Sequence, residues 1–211
     1  MDKIVIRDIV LTDIPAIKQA IDNVWCFSDL VENKERLDAT IGLYLNQVIY
    51  GATFGRVAVL DDKVVGVIFG IVNGEKPNQR HLLEDSTAQT LALLQAPEIE
   101  RQGVYEYFTK QKEVYTQLSN GLLGHYNASL DFLVLTKEAQ GLGVGKKLWI
   151  SLKAYFEEKQ VKSIYLYSDT GCNFGFYEHQ GFTRRKELEV DFDFDGEISR
   201  VTNFLYDIEL D

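Results

Sequence analysis

Gln140-Gly141-Leu142-Gly143-Val144-Gly145 is the stretch whose reading decides the fold of this chain. An apolar run, Leu130 to Leu135, precedes it, and a segment of helical periodicity, Val144 to Phe156, follows. A strand that passes through a glycine-rich turn into a helix leaves unpaired N–H groups at the positive end of the helix dipole. Such a terminus binds a phosphate or pyrophosphate. Two commoner phosphate loops do not fit. A dinucleotide loop counted from Gly141 and Gly143 needs a third glycine at the position of Lys146. A Walker A loop ending in Gly145-Lys146 needs glycine where Gln140 stands and Ser or Thr where Lys147 stands. Taken alone, Q-x-x-G-x-G is equally an ordinary tight turn with glycines at φ > 0.

Its surroundings narrow the choice. Asp131-Phe-Leu-Val-Leu-Thr-Lys-Glu-Ala-Gln-Gly-Leu-Gly-Val-Gly-Lys-Lys-Leu148 resembles the acetyl-CoA-binding segment of the GNAT superfamily of N-acetyltransferases. Phe176-Tyr177-Glu178-His179-Gln180-Gly181-Phe182 is similar to that superfamily's F-Y-E-x-x-G-F segment, and Ile6 to Ile17 resembles its opening strand and helix. The three segments occur in the family's order across nearly the whole chain. The resemblance implies one acetyltransferase-like domain over residues 1–211, of mixed α/β class. Its central sheet is mostly antiparallel and splayed between two parallel strands, with helices on both sides. It also implies acetyl-CoA or coenzyme A as cosubstrate.

The residue pattern agrees with such a domain. Lys3 to Arg7 is a short β-rich run, and Thr12 or Asp13 is placed to cap a helix carrying Ile14, Ile17, Ile21 and Val24 on one face. A second helix is expected over about Glu32 to Gln47. Arg56 to Leu60 and Val64 to Ile71 read as a hairpin turning at Asp61-Asp62-Lys63. The stretch 73–124 is longer than a minimal member of the family needs. It predicts two helices, about Leu82 to Gln95 and Glu98 to Leu118, separated at Pro97. Tyr105, Tyr107, Phe108 and Tyr115 lie there, either as core packing or as part of a roof over an acceptor pocket; a homodimer contact is the third option. Ser163 to Ser168 reads as a strand, Phe174 to His179 as a short helix, and Glu187 to Phe194 with Asn203 to Glu209 as a hairpin turning near Asp195-Gly196.

Composition bounds the function. The chain has 211 residues, 45% hydrophobic and 26% charged, as in a soluble globular protein. There is no signal pattern and no bilayer-spanning apolar run. The net charge of −10 disfavours nucleic acid and anionic membrane surfaces and suits a cationic acceptor. Two cysteines, Cys26 and Cys172, and three histidines lack metal-ligand spacing, so no metal is expected and a reducing, cytoplasmic setting is.

The resemblance assigns candidate site residues. Leu133, Val134 and Leu135 would lie along the pantetheine arm. The amides of Gln140, Gly141, Leu142, Gly143, Val144 and Gly145 would hold the pyrophosphate, with added charge from Lys146. Tyr177 corresponds to the family tyrosine that faces the coenzyme sulfur, as a general acid. Where many members carry an asparagine seven residues earlier, this chain has Thr170, with Asn173 nearby. For the general base, period-two alternation puts Asp131 on the face of 129, 133 and 135, where some relatives carry a base; His125 is a weaker candidate, and a water-relayed base, or none, is a further option. The expected reaction is acetyl transfer to a primary amine of a small molecule or peptide. An acyl-CoA-binding sensor without turnover is the alternative from another class.

Overall fold

The computed structural model describes residues 4–194 and 197–210. Among these residues seven strands form one sheet: β1 (Val5–Arg7), β2 (Phe54–Leu60), β3 (Lys63–Val72), β4 (Ala128–Leu135), β5 (Ser163–Asp169), β6 (Thr183–Phe194) and β7 (Glu197–Glu209), in the order β1-β2-β3-β4-β5-β7-β6. All neighbours are antiparallel except β4 and β5. This is the mixed, mostly antiparallel sheet with one parallel pair that the resemblance implies. The β2–β3 turn falls at Asp61 and Asp62, both at positive φ (49° and 61°), the backbone a two-residue turn demands and one that Asp tolerates. The turn expected near Asp195-Gly196 lies outside the described residues.

Among the described residues six α-helices flank the sheet: α1 (Ile14–Trp25), α2 (Lys34–Gly51), α3 (Ser86–Leu94), α4 (Glu98–Ser119), α5 (Val144–Glu158) and α6 (Gly175–His179). On one face, Leu148, Leu152 and Phe156 of α5 pack with Ile68, Leu130, Ile164, Leu166 and Tyr206. On the other, Ile17 and Ile21 of α1 and Leu45 and Ile49 of α2 pack with Val67, Phe69, Phe132 and Val134. Val114 and Leu118 of α4 cover Leu205, with Tyr165, Tyr167 and Leu188 at the margin. Within the 73–124 stretch α4 therefore covers the β6–β7 part of the sheet, while α3 packs against α2, where Asn46 donates to Gln89 at 3.0 Å.

Three local expectations change. Asp13 precedes α1 but does not cap it with its side chain. The carboxylate turns back to take two hydrogen bonds from Arg7, at 2.6 and 2.8 Å, and one from the Val10 N–H at 2.9 Å. A paired buried carboxylate gains more from a guanidinium than from a helix amide. The second helix starts at Lys34, because Asn33 Oδ1 accepts the Glu35 and Arg36 N–H groups. The third starts at Ser86 instead of Leu82, because Asp85 caps it through the Thr87 and Ala88 N–H groups.

Candidate active site

Along β4 the ladder to β3 continues to the Gly66–Leu135 pair, but β4 and β5 pair only at Ala128–Ile164 and Ser129–Tyr165. Beyond that point the two strands part. The backbone groups of Leu130 to Leu135 that point away from β3 have no β5 partner, and such groups seek other hydrogen bonds. A cavity of about 360 Å³ fills the gap. Leu133, Leu135, Gln140, Gly145, Phe176 and Tyr177 line one side, with Val134 contributing from the same strand. Trp25, Tyr44, Gln111, Tyr115, Tyr167 and Asp169 line the other, and Asp131 stands between.

The glycine loop sits at the rim. Gly141 and Gly143 have φ of 77° and 76°, left-handed values that L side chains avoid, and the space above both is open. Gly145 serves differently: a Cβ there would lie 3.3 Å from Leu135 and 3.5 Å from Phe176, so glycine lets α5 start hard against β4 and α6. Leu142 N–H reaches Ala139 O at 3.4 Å and Lys147 N–H donates to Gly143 O at 3.1 Å. Among the described residues, the amides of Gly143, Val144, Gly145 and Lys146 between them have no backbone acceptor. They point out of the N-terminus of a 15-residue helix, an arrangement suited to an anion. The Lys146 side chain is exposed on α5 and does not line the cavity, nor do the side chains of Leu142 and Val144; Val144 is buried in the core.

Asp131 departs from the expected alternation. Phe69 pairs with Phe132 and Gly70 with Leu130, so Asp131 is the extra residue of a β-bulge. The bulge flips the faces. Leu130 packs on the α5 side, yet so do Leu133 and Leu135, while Phe132 and Val134 face α1 and α2. Strict alternation would have put Leu130 on the opposite side from Leu133. Asp131 is thus freed from the ladder and turned into the cavity. Its side chain is open to the cavity space, but walls of protein surround it, and this burial pushes its pKa up to about 6. Burial first raises the pKa of Tyr44, Tyr115 and Tyr165 as well, and the surrounding groups, Asp131 among them, add to it.

Tyr177, on α6, is only 9% exposed and packs edge-on against Phe176 and Phe182. Burial holds its hydroxyl protonated well beyond the usual tyrosine range, and among the described residues that hydroxyl has no hydrogen-bond partner. Asn173 lines the same cavity wall. Thr170 does not: its Oγ1 accepts the Thr202 N–H at 3.1 Å and its own N–H donates to Thr202 O, tying β5 to β7. Cys172 lines the cavity as a free thiol, pushed up to about 12 by burial and then by the Asp169 charge. His125 lies away from the cavity, in the turn before β4.

The aromatic residues of α4 divide between roles. Tyr107 and Phe108 pack on Phe27 in the core, and Tyr105 is 70% exposed. Tyr115 faces the cavity and stacks on Tyr167, centroids 4.2 Å apart and planes within 6°. Sequence reasoning missed Trp25, Tyr44 and Asp169. The alternation of Tyr165, Tyr167 and Asp169 along β5 was the available signal for the last. Among the described residues, no Lys, Arg or His lines the cavity, and no group of three or more His, Cys, Asp or Glu could hold a metal ion. Nor is any helix long and apolar enough to cross a membrane.

The sequence model of the acetyltransferase (GNAT) domain matches residues 82–196, more than half of the 211 residues. The chain belongs to the GNAT acetyltransferase family. No curated protein matches it in sequence. Solved structures of GNAT N-acetyltransferases share the fold. The ribosomal-protein-alanine N-acetyltransferase of Brucella melitensis superposes with a TM-score of 0.55 at 14% identity, over 98% of this chain and 99% of the other. PaiA N-acetyltransferase of Thermoplasma acidophilum, solved with coenzyme A, gives 0.54 at 15% identity over 99% of each chain. Ard1 of Thermoplasma volcanium gives 0.54 at 13%, over 98% and 97%. The match of the GNAT sequence model begins just before α3 and includes α4, the glycine loop, both candidate catalytic side chains and all of β6.

Proposed function

We propose that this acetyltransferase moves an acetyl group from acetyl-CoA to a primary amine, with Asp131 as general base and Tyr177 as general acid. The observation that carries the reading is that one cavity, opened where β4 and β5 part, holds both side chains beside the free edge of Leu133 to Leu135. The residues present suit the coenzyme. The unpaired loop amides suit a pyrophosphate, and the free β4 edge suits the amides of a pantetheine arm. Asn173, which lines the cavity, is better placed to contact that arm than Thr170. Relatives of the same fold solved with coenzyme A support the assignment.

The bound ammonium first gives one proton to solvent; the freed amine nitrogen then bonds to the acetyl carbon and the carbon–sulfur bond breaks. The proton leaving nitrogen goes to the Asp131 carboxylate, and the Tyr177 hydroxyl gives its proton to the departing thiolate. Solvent then returns one proton from Asp131 to Tyr177. A carboxyl near 6 is ionised at neutral pH yet basic enough to assist once attack has begun to acidify the ammonium. Burial keeps Tyr177 a donor. Thiol release from acetyl-CoA with a panel of amines tests the proposal. Turnover in the wild type, with kcat lowered by about 10²–10⁴ in Asp131→Asn, is expected. Coenzyme binding without thiol release from any amine would favour a sensor instead.

A further inference from the structure

Within that reading, we infer that the acceptor is a compact dication, a short alkane diamine: Asp131 takes the reacting nitrogen and Asp169 holds the other. The argument starts from the acceptor side of the cavity. Asp131 comes from the bulge in β4 and Asp169 from the end of β5, and both face the same cavity across the gap. Neither has an ion-pair partner among the described residues, and no cationic side chain lines the cavity to neutralise them. Rings of Trp25, Tyr44, Tyr115 and Tyr167 fill the wall around them. Carboxylates at two points with π-faces between them suit ammonium groups at two ends of an apolar spacer.

Gln111 and Tyr115 of α4 bound this side. Helix α4 lies over it and is pinned at two places. Near its start, Glu100 takes two hydrogen bonds from Arg36 of α2, at 2.7 and 2.9 Å. Midway, Lys110 contacts the Asp191 carbonyl of β6 and sits over the Phe192 ring. These two anchors hold the α4 residues that line the cavity, Gln111 and Tyr115, against the rest of the fold.

The test compares substrates before it compares variants. Steady-state rates are measured for a short alkane diamine, the monoamine of equal length, and a peptide with a free N-terminal amine. For the wild type, kcat/KM for the diamine should exceed that for the monoamine at least tenfold, and the peptide should be the poorest. Asp169→Asn keeps the oxygen that accepts the Gly171 N–H at 2.7 Å, so the turn after β5 is retained. In that variant the diamine KM should rise at least tenfold, with its kcat and the monoamine KM within about twofold of wild type. Equal wild-type kcat/KM for diamine and monoamine, a peptide preference, or equal KM increases for both amines would overturn the inference while leaving amine acetylation intact. Thiol release with none of the three would sink both.

Discussion

At the scale of single residues, the proposed mechanism rests on two titratable groups displaced in the same direction, Asp131 and Tyr177. Tyr177 is buried, protonated and unpartnered, so Tyr177→Phe should lower kcat and leave acetyl-CoA affinity unchanged. The loss should lie at or below the low end of about 10²–10⁴ for general acid catalysis, since a thiolate is a good leaving group. Wild-type kcat in the variant would make Tyr177 a packing residue. Asp131 makes a prediction about stability as well as rate. Its folded pKa, about 6, lies above the ordinary 3.8, so the native state holds the proton more tightly than the unfolded chain. Stability therefore falls as pH rises between those values and stays lower above them. Asp131→Asn should be more stable than wild type at pH 7.5 by about 1 kcal/mol, the open cavity screening the charge, and the difference should vanish by pH 3.5. A thermal melting series across that window checks it, as does the loss in the variant of an acid limb near 6 in kcat/KM. Gly143 gives a third handle. Gly143→Asn, which tolerates the left-handed backbone, should keep coenzyme affinity, whereas Gly143→Val should weaken it at least tenfold, about 1.4 kcal/mol, by calorimetry. Equal affinities would remove the loop from phosphate binding.

At the scale of elements, the junctions explain where periodicity misplaced helix ends. Asn33 and Asp85 each accept two amides, and such caps start a helix wherever the side chain reaches, regardless of the apolar repeat. Asp13 looks like a cap in sequence but serves as the buried partner of Arg7, tying β1 to the start of α1. That bond holds its carboxyl below the usual carboxylate range, the Arg7 hydrogen bond being the main cause. Its contribution is complete above the unfolded value and is lost as pH falls through the depressed one. Asp13→Asn should cost about 1–3 kcal/mol at pH 7, because it leaves the Arg7 head with a weaker partner, and little at pH 2. Denaturant titrations at the two pH values measure the difference; the same cost at both would rule out the ion pair as its source. The hairpin turn at Asp61 and Asp62 and the α5 start at Gly143 were legible because local backbone demand sets them.

At the scale of the whole molecule, the sheet is two halves joined by a short seam. Two residue pairs and the Asn127 N–H to Ser163 O bond connect β4 to β5, and the remainder of the gap is cavity. A ligand that bridges the gap stabilises both halves together. Coenzyme A at about a hundred times its Kd should raise stability by about 2.7 kcal/mol. It should also slow hydrogen exchange at β4 amides from Leu133 to Leu135; melting and exchange that do not respond would place the coenzyme elsewhere. The glycine loop, the order of its flanking strand and helix, the F-Y-E-x-x-G-F segment and therefore the fold were determined by sequence alone, because each is a local pattern whose residues are neighbours in the chain. The acceptor side was not. Trp25, Tyr44, Tyr115, Asp131 and Asp169 meet only when α1, α2, α4, β4 and β5 converge, and no periodicity links residues so far apart. The bulge that turns Asp131 inward depends on a one-residue mismatch with β3, which a strand read by itself cannot reveal.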